Sequence, residues 1–129
     1  MSHTHTSLCF HVVFATKHRI ALIRPELADD IWSILWDVCS ELGIHVYAIN
    51  GGDDHAHILM ALLPNQCLAD VVRLIKSKST REIRSRHPDL DHFAWQRGYG
   101  AFTFSHHHLN VLIAYVRSQP ERDNRSNPP

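Results

Sequence analysis

Two histidines one residue apart, His55 and His57, open an apolar run in "NGGDDHAHILM", behind two glycines and two aspartates. If that run is a strand, its side chains alternate between faces, so both imidazoles point one way and Ala56 the other. Two adjacent imidazoles can bind a divalent metal. Such ions take four to six ligands, so Asp53, Asp54 or more distant side chains would have to complete the site. The plain alternative is a polar pair on a wet sheet face. With 12 histidines among 129 residues, some such pair arises by chance.

Near the end, Tyr115 and Gln119 are four residues apart, the spacing of one helix face. Tyrosine can act as a covalent nucleophile, but with a reference pKa of about 10 it needs help. A metal that makes the electrophile better supplies it. A glutamine carbonyl suits a hard ion such as magnesium or manganese. A partly buried tyrosine beside a surface glutamine is the bland alternative. A third constellation is basic: Arg73, Lys76, Lys78 and Arg81 on one predicted helix, continued by Arg84 and Arg86, with Lys17, Arg19 and Arg24 in a second segment. Such groups bind phosphates, or simply form a solvated face. Phe93, Trp95, Tyr99 and Phe102 in "FAWQRGYGAF" could stack on bases or fill the core. His106, His107 and His108 open a helix, where successive residues face different ways, and are read as solvent-facing.

The elements that must position these groups follow from periodicity and punctuation. Residues 7–16, "SLCFHVVFAT", are β-branched and aromatic and read as a strand. Pro25 fits the first turn of a helix in which Leu27, Ile31, Ile34, Leu35, Val38 and Leu42 recur at helical spacing, and Gly43 stops it. "IHVYAIN" (44–50) and "HAHILMALL" (55–63), joined by "GGDD", read as a hairpin. "CLADVVRLIKSKSTREIRSRHP" carries an apolar stripe of Leu68, Val71, Val72, Ile75 and Ile83 and ends at Pro88. "YGAFTFS" (99–105) is a fourth strand and "HHHLNVLIAYVRSQ" (106–119) a last helix. The order β-α-β-β-α-β plus one helix is α+β, the ferredoxin-like (RRM-like) plan: an antiparallel sheet with helices on one face, the other face free, and the tyrosine on the C-terminal helix. The first and third strands are central, which puts His55 and His57 mid-surface.

Bulk numbers set the class. A single domain over 1–129 is expected, with an ordered core at 7–119 and a polar tail at 120–129. The net charge is zero, with 13 basic and 13 acidic residues, so only local clustering can argue for nucleic acid. Cys9, Cys39 and Cys67 are odd in number and form no CxxC pair, which fits reduced thiols in a cytosol. The start, "MSHTHTSL", lacks the features of a signal peptide, and no apolar run approaches the roughly 18 residues that span a membrane. The expectation is a cytoplasmic, nucleoid-associated protein without a membrane.

Five blocks in order, "HVVFATKHR", "DDHAHILM", "LIKSKSTREIR", "WQRGYGAFTFS" and "AYVRSQ", resemble the single-strand DNA transposases of insertion sequences, including relatives associated with repetitive extragenic palindromes, within the HUH endonucleases. The resemblance runs from about Phe10 to Gln119. It implies that His55 and His57 hold Mg2+ or Mn2+ with Gln119 as third ligand. It implies that Tyr115 attacks a DNA phosphate, forming a 5′-phosphotyrosine and freeing a 3′-hydroxyl. It implies a single-stranded DNA substrate beside a hairpin, and a homodimer in which one subunit's tyrosine helix can complete the other's site. Lys17, Arg19, Arg73, Lys76, Lys78 and Arg81 would then grip DNA. The chain departs from the family pattern at "FTFSHHH" and after Gln119, where it reads "PERDNRS". Two other readings compete: a non-catalytic RRM-like nucleic-acid-binding dimer, and a small metal-binding domain with no DNA role.

Overall fold

A computed structural model describes residues 8–119; Ser7 and the expected polar tail at 120–129 lie outside the described residues. Strands β1 (Leu8–Ala15), β2 (His45–Gly51), β3 (His55–Leu62) and β4 (Gly100–Phe104) form one sheet in the order β2-β3-β1-β4. Every neighbouring pair is antiparallel. Helix α1 (Pro25–Glu41) connects β1 to β2, α2 (Leu68–Arg86) connects β3 to β4, and α3 (Leu109–Arg117) follows the sheet. This is the expected α+β, ferredoxin-like order, with β1 and β3 in the centre.

Local chemistry explains the boundaries. Pro25 opens α1, where its missing N–H costs nothing. Gly43 closes it at φ 72°, donating to Ser40 while Ile44 donates to Cys39, a Schellman stop that a side chain would strain. Pro88 keeps His87 extended and ends α2. On α2 the buried positions are Val71, Val72, Ile75, Ser79 and Ile83. Ser79 fits the stripe because Trp95 Nε1 donates to its hydroxyl at 3.0 Å.

The two sheet faces are unequal. Phe10, Val12 and Phe14 of β1 and Ala56, Ile58, Met60 and Leu62 of β3 pack toward α1 and α2 in the main core. The opposite side chains, His11 of β1 and His55, His57 and Leu59 of β3, face the other way. That face was expected to be free. Instead α3 covers part of it, over β2 and β3, on a small cluster of Ala48, Leu59 and Val116 flanked by Tyr47, Phe104, Leu112, Ile113 and Tyr115. Each fully buried aliphatic side chain contributes about 1.5–3 kcal/mol. With so few beneath it, and at 9 residues, α3 is held far less firmly than α1 or α2. Its start also differs from expectation: His106–His108 form a separate 3₁₀ turn, and the α-helix begins at Leu109.

Candidate active site

The strand register assembles three imidazoles. His57 lies opposite Val13 and His55 opposite Ala15, while His11 is opposite Leu59 and so diagonal to His57. His11 Nε2 is 2.9 Å from His57 Nδ1. The His55 and His57 rings are 4.9 Å apart between centroids, nearly perpendicular. His55 Nδ1 donates to Asp54 Oδ1 at 2.8 Å. Each member of the pair therefore has its Nδ1 occupied by a neighbour. His57 is 7% exposed, and its Nε2 is buried without a hydrogen-bond partner. Burial, then the charges of His55 and His11, depress the His57 pKa to about 3, so the ring is neutral at physiological pH. A neutral imidazole with one nitrogen held and the other bare is the form that ligates a metal.

The turn at 51–54 fixes this arrangement from below. A Cβ on Gly51 would lie 2.2 Å from the His55 carbonyl oxygen and 2.8 Å from Trp32, so only glycine fits. Thr16 donates its N–H to Asp54 O at 2.8 Å and Ile23 to Asp53 O at 2.9 Å, pinning the turn to the chain after β1. His18 and Arg19 adopt left-handed φ values of 59° and 54°, a conformation costly for residues with side chains. It folds the chain back so that Arg19 donates to both oxygens of Asp54, at 3.2 and 3.3 Å. Burial alone would raise the Asp54 pKa. The hydrogen bond from His55 and the Arg19 charge outweigh it and hold the carboxyl below its usual value.

Tyr115 belongs to this group. Its ring stands edge-on to His57 at 5.9 Å between centroids and to His11 at 6.1 Å. Beside the imidazoles opens a cleft of about 650 Å³, walled by His55, His57, Arg19, Arg97, Tyr99 and Phe102. Phe102 is 62% exposed and Tyr99 40%, whereas Phe93 and Trp95 are core. The four aromatics thus divide between the two expected roles.

Gln119 is placed elsewhere. α3 ends at Arg117 and Gln119 donates its N–H to Val116, so it does not continue the Tyr115 face as the four-residue spacing predicts. It is 2% exposed and lines a separate cavity of about 430 Å³ with Trp32, Asn50 and Asp53. Asn50 Nδ2 reaches past the end of β2 to donate to the Arg117 and Gln119 carbonyls, at 3.1 and 2.5 Å. Among the described residues, no group of three His, Cys, Asp or Glu side chains is placed to hold a metal.

The basic candidates also separate. Lys17 is exposed on the turn beside Arg19. Lys76 is engaged: its Nζ donates to Gln96 and Gly98 carbonyls at 2.8 and 2.5 Å and lies 5.9 Å from the Tyr99 ring centre. Burial lowers its pKa. Arg73 sits near Lys76 and Arg97 at the same loop. Lys78 and Arg81 line a groove with Asp37 and Glu41 of α1, and α2 packs on the face opposite the histidines, so these two are not part of the histidine surface. His106, His107 and His108 are solvent-exposed as expected, although His106 Nε2 approaches Cys9 Sγ at 3.6 Å. Residue types and spacing missed His11. Its only signal is the period-2 alternation of "CFHVVF", which puts it on one face without saying which strand it meets.

Comparison with known proteins supplies the lineage. Residues 4–119 match the family model described as "Transposase IS200 like". The ISDra2 transposase of Deinococcus radiodurans is 26% identical over 88% of this chain and 85% of its own length. The transposase for insertion sequence element IS200 of Salmonella typhimurium is 25% identical over 95% of this chain and 84% of its own. A crystal structure of a Deinococcus radiodurans protein assigned as a transposase superposes with a TM-score of 0.74 at 28% identity, covering 92% of this chain and 98% of that one. A tyrosine transposase solved with a REP hairpin shares the fold at a TM-score of 0.64 and 15% identity, over 95% of this chain and 74% of that one. With every described residue inside the family model, this protein belongs to the IS200-like transposases.

Proposed function

We propose that this transposase cuts and rejoins single-stranded DNA beside a hairpin, with Tyr115 as the nucleophile and a divalent cation, Mg2+ or Mn2+, held by His55 and His57. The observation that carries the proposal is the juxtaposition of a buried, unpartnered imidazole nitrogen on His57 with the Tyr115 ring. The two imidazoles fit a cation: both are held at Nδ1, and His57 is neutral. When bound, that ion would neutralise charge on a non-bridging phosphate oxygen and make the phosphorus more electrophilic.

The chain's own groups supply the rest. The Tyr115 phenol oxygen attacks phosphorus as its proton leaves to water, the bond to the 3′ oxygen breaks, and that oxygen takes a proton from water. The products are a 5′-phosphotyrosine and a strand ending in a 3′-hydroxyl. Attack by another 3′-hydroxyl reverses the step, so joining needs no external energy source. Tyr115 touches the histidines without lining the open cleft, so a strand lying there is reached by movement of the lightly held α3 or by α3 of a second copy. The second route makes a homodimer part of the proposal. Gln119 can join the histidine pair only if the segment after α3 leaves its cavity. Arg19 and Arg97 at the cleft, with Lys17 and Arg73 nearby, would meet backbone phosphates. Exposed Phe102 and Tyr99 offer ring faces for unpaired bases. The hairpin rests on the resemblance in sequence and on the neighbour solved with one.

The test uses labelled single-stranded hairpin DNA with manganese and looks for a protein–DNA adduct that survives denaturation. The expected result is an adduct that Tyr115→Phe and chelation both abolish. His57→Ala should lose cleavage while hairpin binding stays largely intact. An adduct that persists in Tyr115→Phe would overturn the assignment. Hairpin binding without an adduct under any metal would instead make the protein a non-catalytic binding module.

A further inference from the structure

His57 has one nitrogen against His11 and the other buried and bare. Two proton arrangements satisfy the 2.9 Å contact. In one, His57 Nδ1–H donates to His11 Nε2, and His57 Nε2 carries a lone pair. In the other, His11 donates, and the His57 proton sits on buried Nε2 with nothing to receive it. Either way a buried polar atom of His57 is left unsatisfied, which disfavours the metal-free site. Only the first arrangement lets a bound cation remove that cost, because only it presents a lone pair. The neighbouring ring follows the same design: Asp54 takes the Nδ1 proton of His55.

We infer that His11 is a positioning residue, whose Nε2 accepts the His57 Nδ1 proton and so holds His57 in the tautomer and orientation that aim its Nε2 lone pair at a divalent cation. This rests on the proposal that His55 and His57 hold the ion. His11 lies on β1, 46 residues from its partner, so the central strand pair builds the support before any ion arrives. Outer partners of this kind are worth 10- to 100-fold in metal affinity.

The full chain, titrated with Mn2+ by calorimetry, tests this. His11→Leu removes the acceptor in a similar volume, and His11→Gln keeps an acceptor oxygen at similar reach. His57→Ala reports on the site itself. The expected results are a 10- to 100-fold weaker Mn2+ affinity for His11→Leu, recovery to within a few-fold for His11→Gln, and unchanged affinity of both His11 variants for hairpin DNA without metal. In the metal-free protein, nitrogen-15 spectra should show the His57 proton on Nδ1 in wild type and His11→Gln, and a mixture in His11→Leu. Wild-type affinity in His11→Leu, or a His57 proton on Nε2 in wild type, would overturn the inference, as would His11→Gln binding as poorly as His57→Ala. If wild type and His57→Ala bind Mn2+ equally, it is the metal-site reading itself that fails.

Discussion

His55 and His57 are one residue apart, yet the site treats them differently. His57 is sealed by its neighbours and takes its support from another histidine; His55 stands nearer solvent on a carboxylate that Arg19 orients. Both depend on Gly51, which lets the turn press against the start of β3. Gly51→Ala must push its Cβ out of the His55 carbonyl, and should cost about 3 kcal/mol or more in urea unfolding. A loss below about 1 kcal/mol would mean that the turn is not tightly packed. A second prediction concerns the Cys39 thiol, whose pKa burial raises from 9.0 to about 12. A raised folded pKa means that stability is whole below pH 9 and falls as the unfolded thiol ionises first. The loss should reach about 2 kcal/mol by about pH 10.5, and Cys39→Ala should remove that slope. An unchanged slope would refute it. The His-x-His pair was legible from the sequence because strand periodicity alone puts both rings on one face. His11 was not, because its meeting with His57 depends on the register between two strands.

Among the elements, the sheet and the two long helices were legible, since proline, glycine and apolar spacing act locally. α3 was only half legible. Its length was overestimated and its Gln119 misplaced because its end is decided by Asn50, 67 residues before Arg117. The Asn50 carboxamide caps the last carbonyls of a helix that buries little, and its own oxygen accepts the Gly51 N–H at 2.9 Å. Asn50→Ala should cost about 1 kcal/mol, concentrated at α3. Amide exchange should speed up at 109–117 while β1 and β3 stay protected. Uniform acceleration across the sheet would show that α3 is not a separately held unit.

For the whole molecule, a net charge of zero hides a division of labour. One side of the sheet carries α1 and α2, where Lys78 and Arg81 face carboxylates; the other carries the histidines, Tyr115 and the cleft with Arg19 and Arg97. The sequence showed a basic helix but not which way it faced, because facing is set by the packing of α2 on the sheet. Lys78→Ala and Arg81→Ala should therefore leave hairpin binding within about two-fold, whereas Arg97→Ala should weaken it and lower its salt dependence by about one phosphate contact. Equal losses on both sides would mean that DNA wraps the helical face as well. The proposed chemistry requires the Tyr115 phenol to reach a phosphate beside His57. Mass spectrometry of the nuclease- and trypsin-digested adduct tests it most directly. A 5′-nucleotide mass on the 98–117 peptide, localised to Tyr115, is the expected result; strand cleavage with that peptide unmodified, or with the nucleotide on another residue, would refute the Tyr115 assignment.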